Sequence, residues 1–229
     1  MEKATHSPPQ HQYLTASFAG CLAALAALLA ATAISLVTGS PSEPVGQEIF
    51  ETISDPAVYA SGLARADGPL RAILFVDSLF IIAYLVAVGF AIAAFAGSCR
   101  PAAWFGGLAI IAVAILDALE NATMVQSLDL VAMGAPLTLE HIAWQASISA
   151  MKWQMAALSL FAATFTLPNK TMLERILVWA MRLGLPLTAP LFVMNAFGLR
   201  EIAPLGMGLA MIAGLALLAA VTRSHLGKP

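Results

Sequence analysis

An all-α bundle of six membrane-spanning helices is the fold class that the sequence predicts. Hydrophobic residues make up 60% of the 229 and charged residues 10%, with a mean hydropathy of +0.84, whereas an ordinary soluble domain is about half apolar and a quarter charged. Six separate apolar runs each reach the length of about 20 residues that a helix needs to cross a bilayer. Helix-start signals mark several of their edges.

The first run, 14–38, is rich in alanine and follows a polar tail whose only Lys or Arg is Lys3. Ala31, Thr32 and Ala33 match the small-x-small pattern of a signal cleavage site, but the run is about twice the length of a signal core. It is read as a retained first span, with cleavage as the alternative. The other runs cover 72–97, 102–125, 139–167, 176–198 and 202–221. Pro101 opens the third, and Thr138 is placed to cap the fourth with Glu140 in its first turn. The whole chain, 1–229, is read as a single transmembrane domain.

The connection 39–71 is too long for a turn. From Val45 to Ser54, Val45, Ile49, Phe50 and Ile53 share a helical face with Glu48 and Glu51 off it, which suits an interfacial segment. A second short helix is expected after it, capped by Asp55 with Pro56 at the first helical position and ended by Gly68 and Pro69. The connection is either a lid over one mouth of the bundle or a passive linker. Small residues at spacing four, Ala19, Ala23, Ala27 and Ala31 in the first span and Gly206, Ala210 and Gly214 in the last, mark close packing between helices.

Lys and Arg distribution sets the orientation. Lys3, Arg100, Lys170, Arg175, Arg223 and Lys228 fall on one side with Arg182 and Trp179 near them, and Arg65, Arg71 and Arg200 on the other. Both termini are therefore expected in the cytoplasm, with 39–71, 126–138 and 199–201 outside.

Composition also excludes classes of function. The near balance of 11 Lys and Arg against 13 Asp and Glu leaves no basic surplus for nucleic acid. Cys21 and Cys99 form no CxxC pair and are read as packing residues. The four histidines, His6, His11, His141 and His225, are scattered, so haem, di-iron or His-rich zinc sites are not expected, and no metal or cofactor is assigned. Met151, Met155, Met194, Met207 and Met211 are read as packing.

The informative residues are ionisable groups inside the apolar runs, because a charge at the bilayer centre costs about 2.5–3.5 kcal/mol on insertion scales. They are Asp77, Asp117, Glu120 and Lys152. With a rise of about 1.5 Å per residue, all four fall in the outer half of their spans. Helical spacing adds neighbours: Asp117, Glu120, Asn121 and Met124 make one stripe, Asp77 and Tyr84 share a face beside Ser78, and His141, Gln145, Ser149 and Lys152 line up. Stripes of this kind must face protein or water. Asp77, Tyr84, Asp117, Glu120, Asn121, Ser149 and Lys152 are therefore the expected substrate- or ion-binding residues, around a common cavity that Asn195 could complete. Three carboxylates against one ammonium demand either a protonated acid or a bound cation.

The Asp77, Leu79, Phe80 and Tyr84 of the second span, the Asp117, Glu120 and Asn121 of the third and Lys152 in the fourth resemble a pattern in small, uncharacterised bacterial six-span membrane proteins. The resemblance covers about a third of the chain. It implies a polytopic protein of the bacterial inner membrane and no activity.

Three functions remain open at this point. The first is binding or transport of a small polar molecule, proton or cation. The second is an intramembrane enzyme acting on a lipid or prenyl substrate, with Asp77 and Asp117 or Glu120 as acid and base; the chain has no nucleophile motif or aspartate-rich diphosphate site, and no catalytic residue is assigned. The third is an accessory subunit of a membrane complex whose charges lock its helices together. The expected partners are accordingly the lipid bilayer, a small polar ligand or cation, and a membrane-protein partner.

Overall fold

A computed structural model describes residues 8–39, 46–52, 55–199 and 202–227. Lys3, His6, Val45, Ile53, Ser54, Arg200 and Lys228, all named above, lie outside the described residues. The described residues form α1 (Pro8–Thr38), α2 (Gln47–Phe50), α3 (Pro56–Phe95), α4 (Arg100–Ala132), α5 (Leu139–Ala163), α6 (Met172–Met194) and α7 (Ala203–Leu226). No strand occurs among them. Five helices, all but α2 and α5, are long and apolar enough to cross a membrane.

The helices form a ring. Among the described residues each long helix packs on the next in chain order, α7 closes back onto α1, and contact across the ring is slight, as between α3 and α5. Short connections at 96–99, 164–171 and 195–202 make successive neighbours antiparallel. The first turn of α1 and the last turn of α7 thus share one end of the ring, and α2 sits at the other.

The ends of the helices are chemically specified. Asp55 caps α3 through the amides of Ala57 and Val58, with Pro56 in the first turn. Thr138 caps α5 through His141 N–H. Thr171 and Glu174 form a capping box on α6, and Glu174 also bonds His225 near the end of α7 at 2.9 Å. Asn195 ends α6 in the left-handed conformation, φ 49°, so it serves as a cap and does not line the central cavity.

Three expectations are corrected. The short helix before the second span does not stop at Gly68 and Pro69: α3 runs unbroken for 40 residues from Pro56. A proline inside a helix frees one carbonyl and crowds another turn, but Ala66 and Leu70 on either side are buried with Tyr59, Leu63 and Leu74 against Met124, Leu128 and Ile142. That packing holds the helix through the proline. Likewise the third span continues to Ala132 rather than ending at 125, because its last turns complete the same small core.

The third correction concerns α1. Its buried stripe is Leu14, Ser17, Gly20, Cys21 and Ala24, while Ala19 and Ala23 are exposed. The small-residue row that packs is one position along from the expected row. At Gly20 a Cβ would lie 2.6 Å from Ala87 N and 3.0 Å from Ala83 O, and beside it the Ser17 hydroxyl donates to Ala87 O at 2.7 Å. In α7 two of the three expected positions meet a partner, Gly206 facing Thr188 and Ala210 facing Gly184, while Gly214 meets none.

Because backbone atoms cannot yield as side chains do, Gly20→Val should separate α1 from α3 and destabilise the protein by about 1–3 kcal/mol, the usual cost of overpacking. Gly107→Ala, where an added Cβ meets nothing within 4 Å, should not destabilise it and should gain up to about 1 kcal/mol from helix propensity. Thermal melting of both variants beside the wild type checks this.

Candidate functional site

Helix α5 is more polar than its neighbours, and its polarity points inward. Gln145, Ser149, Lys152 and Ser159 are buried, while Trp144, Met151, Leu158 and Phe161 are exposed. That division places Lys152 in the ring rather than against lipid. Its ammonium meets Asp117 Oδ1 on α4 at 3.2 Å, Glu120 one turn further on the same helix, and Glu51 Oε1 just after α2 at 3.4 Å. Each side chain in this cluster is less than a tenth exposed. A charge removed from water to this degree needs counter-charges at contact distance.

The other expected residues complete the arrangement. Ser149 donates to Glu120, and the Tyr84 hydroxyl on α3 donates to Asp117 Oδ2 at 3.1 Å. Asn121 Nδ2 donates to Asp77 Oδ2 at 2.7 Å. All seven residues expected from the sequence therefore lie in one hydrogen-bonded and ion-paired neighbourhood, in the half of the ring nearer α2. Asp77 differs from the other carboxylates: it is half-buried, and no described Lys or Arg lies within 4.0 Å of it.

Residues that sequence reasoning missed sit directly on the cluster. Glu51 bridges Lys152 and the Trp153 indole, whose Nε1 donates to Glu51 Oε2 at 2.8 Å. Gln47 Nε2 donates to Asn121 Oδ1 at 3.0 Å, and Phe50 packs edge-on against Tyr59 with centroids 5.6 Å apart. The segment around α2 is thus neither a surface linker nor an amphipathic helix with solvated glutamates. Gln47, Phe50 and Glu51 are buried and Ile49 is exposed, so it plugs one mouth of the ring with its polar residues inward. The available signal was the pair of acids in a short loop segment, but depth arguments apply only to spans.

Towards the α2 end a second polar group continues the α5 stripe. Tyr59 donates to Gln145 Oε1 at 2.6 Å and Ser127 pairs with His141 Nε2 at 2.7 Å. Gln145 Nε2 is buried with no hydrogen-bond partner.

The cluster closes one end of a central cavity of about 330 Å³. Its charged wall is Glu48, Glu51, Asp77, Asp117 and Lys152; Thr32, Ser35, Gln47 and Tyr84 add polar groups, and the rest is mostly apolar, contributed by every long helix. The chain matches no protein-family model, no curated protein and no solved structure. The chemistry of the site is therefore the guide to its use.

Among the described residues no set of His, Cys, Asp and Glu is grouped as metal ligands. Arg182, on α6 at the other end of the ring, bonds Thr164 Oγ1 at 3.1 Å and lies over Phe165 and Trp179. It takes no part in the cavity.

Glu48 borders the cavity from α2. Burial, and after it the neighbouring Glu51 charge, hold its carboxyl above the usual value of 4.5, with Lys152 acting in the opposite sense. The unfolded chain releases this proton near 4.5 and the folded chain releases it only at higher pH, so this group's contribution to stability falls as pH rises through that window. Melting temperatures measured upward from about pH 4.5 should decline less steeply in Glu48→Gln than in the wild type.

Removing one partner of a buried ion pair strands the other. Lys152→Met should destabilise the protein by about 3–5 kcal/mol, and the double variant with Glu120→Gln should recover part of the loss. Equilibrium unfolding in mixed micelles reads both.

Proposed function

We propose that this chain is a six-span protein of the bacterial inner membrane whose cluster around Lys152 binds, and carries, a small cationic group. The observation that supports the reading is the charge imbalance: Lys152 is ringed by Asp117, Glu120 and Glu51, while Asp77 and Glu48 border the same cavity. One ammonium cannot neutralise this many carboxylates in a site of low dielectric. A cation entering beside Asp77 relieves the excess.

The membrane placement has its own support. The inward polar stripe of α5 explains its lower hydropathy, so α5 serves as the sixth crossing helix within the ring. Arg100, Lys170, Arg175, Arg182 and Arg223 belong to the end where α1 begins and α7 finishes, and this charge bias supports a cytoplasmic side for that end under the positive-inside rule. The plug formed around α2 then faces outside and closes the site when Glu51 engages Lys152.

Butylammonium tests the reading. At millimolar concentration it should raise the melting temperature of the protein in lipid nanodiscs, and Asp77→Asn should weaken its binding by about tenfold, the effect of one charge-assisted hydrogen bond. Absence of binding, or equal binding by the variant, would rule the reading out.

A further inference from the structure

The charged cluster occupies only one end of the cavity, and the remainder has a different chemistry. From Lys152 to Leu160 on α5, and from Ala210 to Leu218 on α7, the lining continues for about 12 Å of helix rise beyond the charges. Val88, Ile110, Leu160, Met181, Leu215 and Leu218 form its walls there, with no ionisable side chain among them. At about 330 Å³ the whole space falls in the range of ligand pockets for small organic molecules. It far exceeds what a bare cation needs.

A small hydrated ion would leave the apolar part badly filled. Water placed there would find no polar partners, and an empty chamber forfeits the dispersion contacts that close-packed interiors make. The geometry points to a single-chain alkylammonium amphiphile, its primary ammonium at Asp77 and Glu48 and its tail in the chamber walled by α3, α4, α5, α6 and α7. This inference rests on the cation-binding reading and names its ligand class. An N–H-bearing head is favoured over a quaternary one because Asp77 receives one hydrogen bond, from Asn121, and its carboxylate retains further acceptor sites. A carboxylate or phosphate head would instead face Glu48, Glu51, Asp77 and Asp117, with Lys152 already paired to Glu51, Asp117 and Glu120. Such molecules partition into bilayers, so the membrane itself would supply them at high local concentration.

The lining offers a means of filling the chamber without disturbing the charges. Gly214 borders the cavity, and a Cβ built there meets nothing within 4 Å. The first carbon of a leucine side chain therefore enters open space, and replacing glycine within a helix favours the helix.

The full-length protein in nanodiscs would be titrated with dodecylammonium, butylammonium and dodecanoate, reading the melting temperature and, after gentle release, adduct mass by native mass spectrometry. Dodecylammonium should give a one-to-one adduct and bind at least about a hundredfold more tightly than butylammonium, since each buried methylene contributes. Dodecanoate should give neither adduct nor shift. Gly214→Leu should lose the advantage of the long chain while keeping butylammonium binding, which also shows that the variant folds.

If butylammonium binds and dodecylammonium binds no more tightly, the tail chamber is unused and the amphiphile assignment fails while the cation reading stands. The assignment fails in the same way if Gly214→Leu retains the full long-chain preference. If dodecanoate binds as well as dodecylammonium, the head selectivity is absent and the amphiphile assignment fails; if neither amine binds, the assignment and the cation reading fall together.

Discussion

A single ammonium held away from water governs this structure. Lys152 can occupy the middle of a helical ring only if carboxylates reach it from several directions, because a charge desolvated without partners would cost more than a marginally stable fold can supply. Asp117 and Glu120 come from α4 and Glu51 from the segment around α2. Meeting these demands fixes the rotation of α4 and α5 about their axes and draws a loop segment into the bundle. The buried ions are poor evidence of stability in themselves; their value lies in specifying one arrangement among the many that greasy helices could adopt.

The ring and the plug around α2 answer different requirements of that cluster. Close approach of α1 and α3 at Gly20, and of α6 and α7 at Gly184 and Gly206, tightens the ring where helices touch and leaves its centre open. The small core of Tyr59, Leu63, Met124 and Ile142 forms a platform at the α2 end on which Phe50 rests. Glu51 is thereby delivered to Lys152 by this apolar packing together with the Gln47–Asn121 hydrogen bond. Polar specificity at the site thus depends on hydrophobic complementarity a few ångströms away.

The sequence carries much of this arrangement because the bilayer removes options. An ionisable or amide side chain in an apolar run has nowhere to turn but inward, so period and depth alone bring Asp77, Tyr84, Asp117, Glu120, Asn121, Ser149 and Lys152 together. No such constraint acts on Glu51, which lies in a connection where water is the default environment and outward is the natural reading of its face. Gly68 and Pro69 mislead for a related reason. Local propensity says that a helix stops there, and the contacts of Ala66 and Leu70 with distant residues override it. The packing row of α1 escapes because alanines on every face leave no contrast for periodicity to detect.

The unbroken length of α3 has a consequence for where chemistry occurs relative to the lipid. Its 40 residues rise about 60 Å, twice the thickness of a hydrocarbon core of about 30 Å. Asp77 stands about 27 Å above the Phe95 end, and Asp117 about 26 Å above Arg100 on α4. With those helix ends at one face of the hydrocarbon, the carboxylates meet the opposite face near the headgroup boundary rather than the midplane. A molecule lying in the leaflet would already have its polar end at that height.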